Sequence, residues 1–306
     1  MNDPSLAGRA LPTTIPQYLA QLRAALEGAD PAMVQDALYD AEEYLRSELA
    51  EHPGRSEAEV IAAVASSYGA PDEVADIYRD TEVKVQTALR PPAPAPRSSL
   101  AGRFFGVAAD PRTWSSLFYM LLSLATGIFY FLWVVLGLSI SGSLVIVLVG
   151  IPLLILFLGS VRVLSLVEGR LVEVMLGERM PRRPLYAARG RSWTGRIADM
   201  FTDARTWSTL LYMLLMLPLG IVYFTLVVTL LSASLPLIAA PLSLVPGLNL
   251  HLWISGIDVP RQAPFLLPLL SAIGVLLLFG TLHLCRGIGR LHGAIAKHLL
   301  VRTAQY

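Results

Sequence analysis

The side chains able to do chemistry in this 306-residue chain fall into three thin groups. The first is Asp36, Asp40, Glu42, Glu43 and Glu48, of which Asp36, Asp40 and Glu43 share one face of a helix. Carboxylates so spaced could hold a metal or run acid–base chemistry. No His or Cys stands nearby, however, and the pattern reads as the solvated outer face of an amphipathic helix. The second group is His283, His292 and His298, which lack any Asp, Glu, Ser or Cys paired with them as a motif; His292 and His298, six apart, fall on different helix faces. The third is His251, Trp253, Asp258 and Arg261, between two apolar runs. His251 and Asp258 supply two metal ligands where a site needs three or four. Cys285, the single cysteine, excludes an intrachain disulfide and reads as a buried thiol. The expectation is no catalytic residue, no metal, no cofactor and no enzymatic activity.

The composition divides the chain in two. Residues 1–90 carry sixteen acidic against seven basic side chains, a formal charge of −9, whereas residues 91–306 carry seven against seventeen, or +10. The second part has three runs without Asp, Glu, Lys, Arg or His: 113–161, 206–250 and 264–282. About 20 apolar residues cross the hydrocarbon core, so the first run suffices for two crossings and membrane insertion is expected. No export signal stands in the first 100 residues, which places the N-terminal region in the cytoplasm. Its acidity opposes direct nucleic-acid binding, which rests on phosphate neutralisation.

The first ninety residues predict four helices. Ile15, Tyr18, Leu19, Leu22 and Leu26 form one stripe, ended at Gly28; Asp30 and Pro31 restart the chain, and Val34, Leu38, Ala41, Leu45 and Leu49 form the next. After Pro53 and Gly54, Ser56 and Glu59 have capping-box spacing ahead of Val60, Ile61, Val64 and Tyr68. Gly69 stops that helix and Pro71 opens a fourth, with Val74, Ile77, Tyr78, Val85 and Leu89. This region resembles the HAAS signalling domain, a helical module of bacterial membrane-associated proteins. The resemblance rests on Tyr18 and Leu19, on Asp36, Asp40, Glu42, Glu43 and Leu45, and on the run Tyr68, Gly69, Ala70, Pro71, Glu73, Val74, Ala75. It implies coupling to regulatory partners.

Pro91, Pro92, Pro94 and Pro96 predict a stiff polyproline spacer that holds the acidic domain off the bilayer. Beyond it the chain repeats: residues 110–131 recur 93 positions later as 203–224, with fifteen identities in twenty-two positions. A duplicated helical hairpin is the direct reading. Trp114 and Trp207 sit where an aromatic belt belongs, and Arg112 and Arg205 where headgroups begin. Tyr119 and Tyr130 lie three turns apart on one face, as do Tyr212 and Tyr223; Gly127 and Gly220 leave notches one turn before the second tyrosine. Tyrosine packed into a glycine notch between repeats is the expected use. Basic residues crowd 162–196 and 286–302, so the positive-inside rule puts both termini and the middle segment in the cytoplasm, with four spans. Residues 233–248, broken by Pro236, Pro241 and Pro246, read as an interfacial or folded external segment. Residues 163–175 and 288–299 read as amphipathic helices leaving the membrane along its surface.

This half resembles the bacterial "putative sensor" membrane domain found ahead of sensor histidine kinases. The matching residues are Gly150, Ile151, Pro152, Leu153, Glu168, Arg170 and Leu171, then Asp203, Arg205, Thr206, Trp207, Leu211, Tyr212, Pro218, Leu219, Gly220, Ile221 and Tyr223. Only about twenty residues follow the last span, so the kinase activity of such proteins is not carried over.

The fold class is therefore all-α: a small soluble helical bundle and a four-span membrane domain built from two tandem hairpins. The expected divisions are 1–90 (acidic domain), 91–102 (linker), 103–192 (first repeat) and 193–306 (second repeat, with external segment 233–263). The expected function is a bacterial inner-membrane sensor or regulator, with membrane lipids around it and a cytoplasmic protein partner bound through residues 1–90. Self-association is the remaining partner class. The competing readings are a small transporter or channel subunit, which would need ionisable groups within the bilayer, and a static membrane anchor.

Overall fold

The computed structural model describes residues 12–89, 99–144, 149–183, 201–245, 253–254 and 256–301. Four helices come first: α1 (Ile15–Ala25), α2 (Pro31–Glu51), α3 (Glu57–Ser67) and α4 (Pro71–Leu89). Their boundaries follow side-chain chemistry. The Thr14 hydroxyl accepts from the Gln17 amide and the Asp30 carboxylate from Ala32, satisfying amides that a first turn leaves orphaned. Ser56 and Glu59 form a reciprocal capping box. Gly28 and Gly69 turn the chain with φ of 79° and 118°, a region costly to residues with a Cβ.

The apolar stripes of α1–α4 meet in one core containing Tyr18, Leu22, Leu45, Ile61 and Val74, all nearly inaccessible. The Tyr18 hydroxyl donates to the Gly69 carbonyl at 2.8 Å, tying α1 to the turn between α3 and α4. Burying a phenol in an apolar core demands such a partner, and burial pushes its pKa far up.

After a short helix α5 (Leu100–Phe105) come α6 (Pro111–Leu144), α7 (Gly150–Leu176) and α8 (Ala204–Ala239). A hairpin of β1 (Trp253–Ile254) and β2 (Ile257–Asp258) provides the only strands among the described residues. A single turn α9 (Val259–Gln262) precedes α10 (Leu267–Leu300). Four helical segments, beginning at Pro111, Gly150, Ala204 and Pro264, are long and apolar enough to cross a membrane. The protein is all-α in class and a membrane protein.

Three sequence expectations change here. The amphipathic stretches 163–175 and 288–299 are not separate surface helices but unbroken continuations of α7 and α10. At 1.5 Å per residue, the 34 residues of α10 rise about 51 Å, roughly 20 Å beyond the hydrocarbon core. Part of 233–248 likewise extends α8 through Pro236 to Ala239, before a 3-10 turn at Ala240–Leu244. Finally, the glycine notches are filled by backbone and not by tyrosine. A Cβ on Gly127 would stand 2.5 Å from the Met216 carbonyl oxygen, and one on Gly220 would meet the Ser123 carbonyl. Since 123 and 216 are also 93 apart, the two contacts are mirror-related: α6 and α8 cross where each offers a glycine to the other.

The repeat extends to its caps. Asp110 accepts from the Arg112 amide and Asp203 from the Arg205 amide, both at 3.0 Å. The Trp114 indole donates to Ala108 and the Trp207 indole to Phe201, both at 2.8 Å, with both rings about half exposed. Arg286 of α10 pairs with Asp110 at 2.8 Å, and Arg162 of α7 approaches Asp203 at 3.6 Å. In each case the arginine comes from the second long helix of the other repeat.

Candidate functional site

Two clusters gather polar groups that the sequence leaves far apart. The first is built on Arg179, just past the end of α7, where Gly177 (φ 76°) turns the chain. Its guanidinium reaches Asp36 of α2, Glu82 of α4 and Glu173 of α7, each at 3.1 Å, and also donates to the Met180 carbonyl at 2.9 Å. The Arg179, Asp36, Glu82 and Glu173 side chains are each 10% exposed or less. Five donors in a planar fork allow one arginine to serve three carboxylates and a carbonyl, one partner more than the three donors of a lysine. The other oxygen of Asp36 accepts the amides of Arg182 and Arg183 at 2.7 and 2.8 Å. Arg183 adds a pair to Asp40 at 2.8 Å, and Gln35 donates to the Arg183 carbonyl at 2.6 Å.

Burial pushes the Asp36 carboxyl above its ordinary value, against the pull of the Arg183 and Arg182 amides and the Arg179 charge. Burial alone would lower Arg179, but Glu82, Asp36 and Glu173 together hold it above the usual arginine value. The acidic face of α2 is therefore only in part the solvated surface its pattern suggests: Glu43 is exposed and Glu48 half-buried, but Asp36 and Glu42 are buried, and Asp36 and Asp40 anchor a basic segment. Glu42 pairs with Arg46 on its own helix. The acidic bundle is also docked to the end of α10, where Lys297 contacts the N-cap Asp30. The proline run 91–96, expected to hold this bundle off the bilayer, lies outside the described residues.

The second cluster surrounds His292 of α10, which is fully buried. The Tyr119 hydroxyl lies 2.7 Å from its Nε2 and the Tyr212 hydroxyl 3.0 Å from the same atom, while Tyr223 stands 3.3 Å from Nδ1. Tyr119 and Tyr212 are equivalent positions of the two repeats, so one imidazole closes the symmetry of two helices. Tyr130 is buried as well. Cys285 packs inaccessibly with Met120, Tyr223 and Val227. Sequence spacing gives this histidine no acidic or nucleophilic neighbour; its partners are tyrosines 69 to 173 residues distant.

In the segment 233–263, Trp253 is 62% exposed, Asp258 is buried and approaches Arg261 at 3.7 Å, and His251 lies outside the described residues. Val259 packs with Ala240 and Leu267. Among the described residues no group of three or more His, Cys, Asp or Glu could hold a metal ion.

Residues 119–300 match the family described as "Putative sensor", and residues 17–77 match the family described as HAAS. No curated protein and no solved structure matches the chain.

Proposed function

Because this chain belongs to the family described as "Putative sensor", with a HAAS match ahead of its membrane helices, we propose that it is a membrane-embedded sensor or regulator without catalytic output. It couples an envelope or lipid signal to a cytoplasmic protein bound through residues 1–90. The bacterial inner membrane is its proposed location, with both termini cytoplasmic, on the strength of the basic residues at 162–196 and 286–302.

The observation that carries this reading is the Arg179 cluster. It joins α7, an apolar helix of membrane-spanning length, to α2 and α4 of the acidic bundle through buried ion pairs. A displacement of α7 must therefore move or break contacts on the bundle, which gives a signal a physical route. Segment 233–263 is the proposed input, and the acidic bundle the output.

The test is in-cell crosslinking of the full chain to a cytoplasmic partner, comparing wild type, Arg179→Gln and a deletion of residues 240–260. Partner occupancy should change in both variants. Equal occupancy in all three would reduce the protein to a static anchor for its acidic domain.

A further inference from the structure

We propose that the cleft where α7 meets the start of α8 is a binding site for a phosphodiester oxyanion, supplied by the headgroup of an anionic glycerophospholipid. The cleft has a volume of about 50 Å³ and is lined by Arg162, Ser165, Asp203, Arg205, Thr206 and Thr209, with Val161 and Leu166 on its apolar side. That is room for one tetrahedral oxyanion and little more.

Two observations point independently to a missing anion. Arg205 is only 6% exposed, yet among the described residues no carboxylate lies within 4 Å of its guanidinium; its side-chain partner is the neutral Gln35 carbonyl, at 2.6 Å. A buried guanidinium with no carboxylate in ion-pair contact is costly, and such groups are ordinarily paired; Asp203 lines the same cleft but stays beyond that distance. Thr206, 3% exposed, lines the same cleft with a hydroxyl that has no hydrogen-bond partner. An isolated buried hydroxyl forfeits about 1–3 kcal/mol. One phosphate oxygen at this place would satisfy both.

The α8 amides do not make the site, because Asp203 already accepts the Arg205 amide through its carboxylate and the Thr206 amide through its carbonyl. Nor does the threonine alone. Thr113, its counterpart in the first repeat, shares the orphaned hydroxyl, but Asp110 beside it has Arg286 close at 2.8 Å. In the second copy Arg162 stays 3.6 Å from Asp203, with its side chain about one-third exposed. Arg162, Arg205 and Asp203 sum to +1, the complement of one phosphodiester. Trp207, half exposed two residues after Arg205, sets this depth at the headgroup layer. Arg205 also holds Gln35 of α2, so occupancy of the cleft reaches the acidic bundle directly. The site stands on its own geometry; its use as an input rests on the sensor reading, and the two are measured separately.

The full-length protein is purified in detergent, and its retention of phosphatidylglycerol against phosphatidylcholine is measured by native mass spectrometry. Thermal shift with inorganic phosphate is recorded in parallel. Wild type should retain phosphatidylglycerol selectively, with about tenfold weaker retention in Thr206→Val and Arg162→Gln. Thr206→Val should melt no lower than wild type without lipid, since it deletes an unsatisfied hydroxyl, and this separates lost binding from misfolding. A phosphate-dependent shift abolished by Thr206→Val, without lipid selectivity, would support the oxyanion site and overturn its lipid source. Equal retention by wild type and both variants, with no phosphate effect, overturns the proposal. If phosphatidylglycerol binds but hydrogen exchange in α2 around Gln35 is unchanged, the input role fails while the binding site stands.

Discussion

Arg179→Gln is the most informative single substitution. The wild-type guanidinium neutralises Asp36, Glu82 and Glu173 at 3.1 Å each, inside a pocket where none of the four side chains exceeds 10% exposure. A glutamine amide carries no charge and can donate to two of these partners at most. Removing one member of a buried ion cluster leaves uncompensated charge and costs about 3–5 kcal/mol, although the intact cluster contributes less than that to net stability. At about 1.4 kcal/mol per tenfold, the undocked population of the bundle should rise by roughly two to nearly four orders of magnitude. The readout is hydrogen exchange at the Arg182 and Arg183 amides, both held by Asp36 in the docked state. Their exchange should accelerate accordingly, while amides inside α1 and α3 stay protected. Arg46→Gln is the control, because its pair with Glu42 lies within α2 and touches neither Arg182 nor Arg183. Unchanged protection at Arg182 and Arg183 in Arg179→Gln would refute the claim that this cluster fastens the bundle.

Gly127→Ala should lower the melting temperature in detergent by the equivalent of about 1–3 kcal/mol, because its Cβ would strike the Met216 carbonyl, whereas Gly142→Ala, with open space around it, should not. A Gly127→Ala protein that melts like Gly142→Ala would count against the glycine crossing. His292→Phe should cost about 1–3 kcal/mol by removing the imidazole that three tyrosine hydroxyls contact, and Tyr119→Phe less, since Tyr212 still holds Nε2; equal melting of both with wild type would sink this account. Residues 1–90 alone should be soluble and helical by circular dichroism, because the core around Tyr18 and Leu22 closes within α1–α4; a fragment that needs detergent would contradict it.

What the sequence determined by itself is what short-range physics controls. Capping residues such as Asp30 and Ser56 set helix starts through bonds spanning two or three residues, and they stand in the sequence where the helices begin. Long runs without charge admit one solvent, so the spanning helices were legible from composition. The 93-residue repeat was legible because duplication preserves side chains, and the paired capping bonds follow from it. Only the tertiary structure decided which polar groups meet. The acidic face of α2 has the same local pattern whether water or arginine covers it, and its partner Arg179 comes 143 residues later. The tyrosines around His292 come from the first long helix of both copies, converging on α10 from 69 to 173 residues away in sequence. Likewise, a charged stripe after an apolar run does not say whether the helix bends along the membrane surface or runs on. Here α7 and α10 run on, and near their ends the buried Glu173 and the half-buried Lys297 find ion-pair partners on the segment beside the acidic bundle and on the bundle itself.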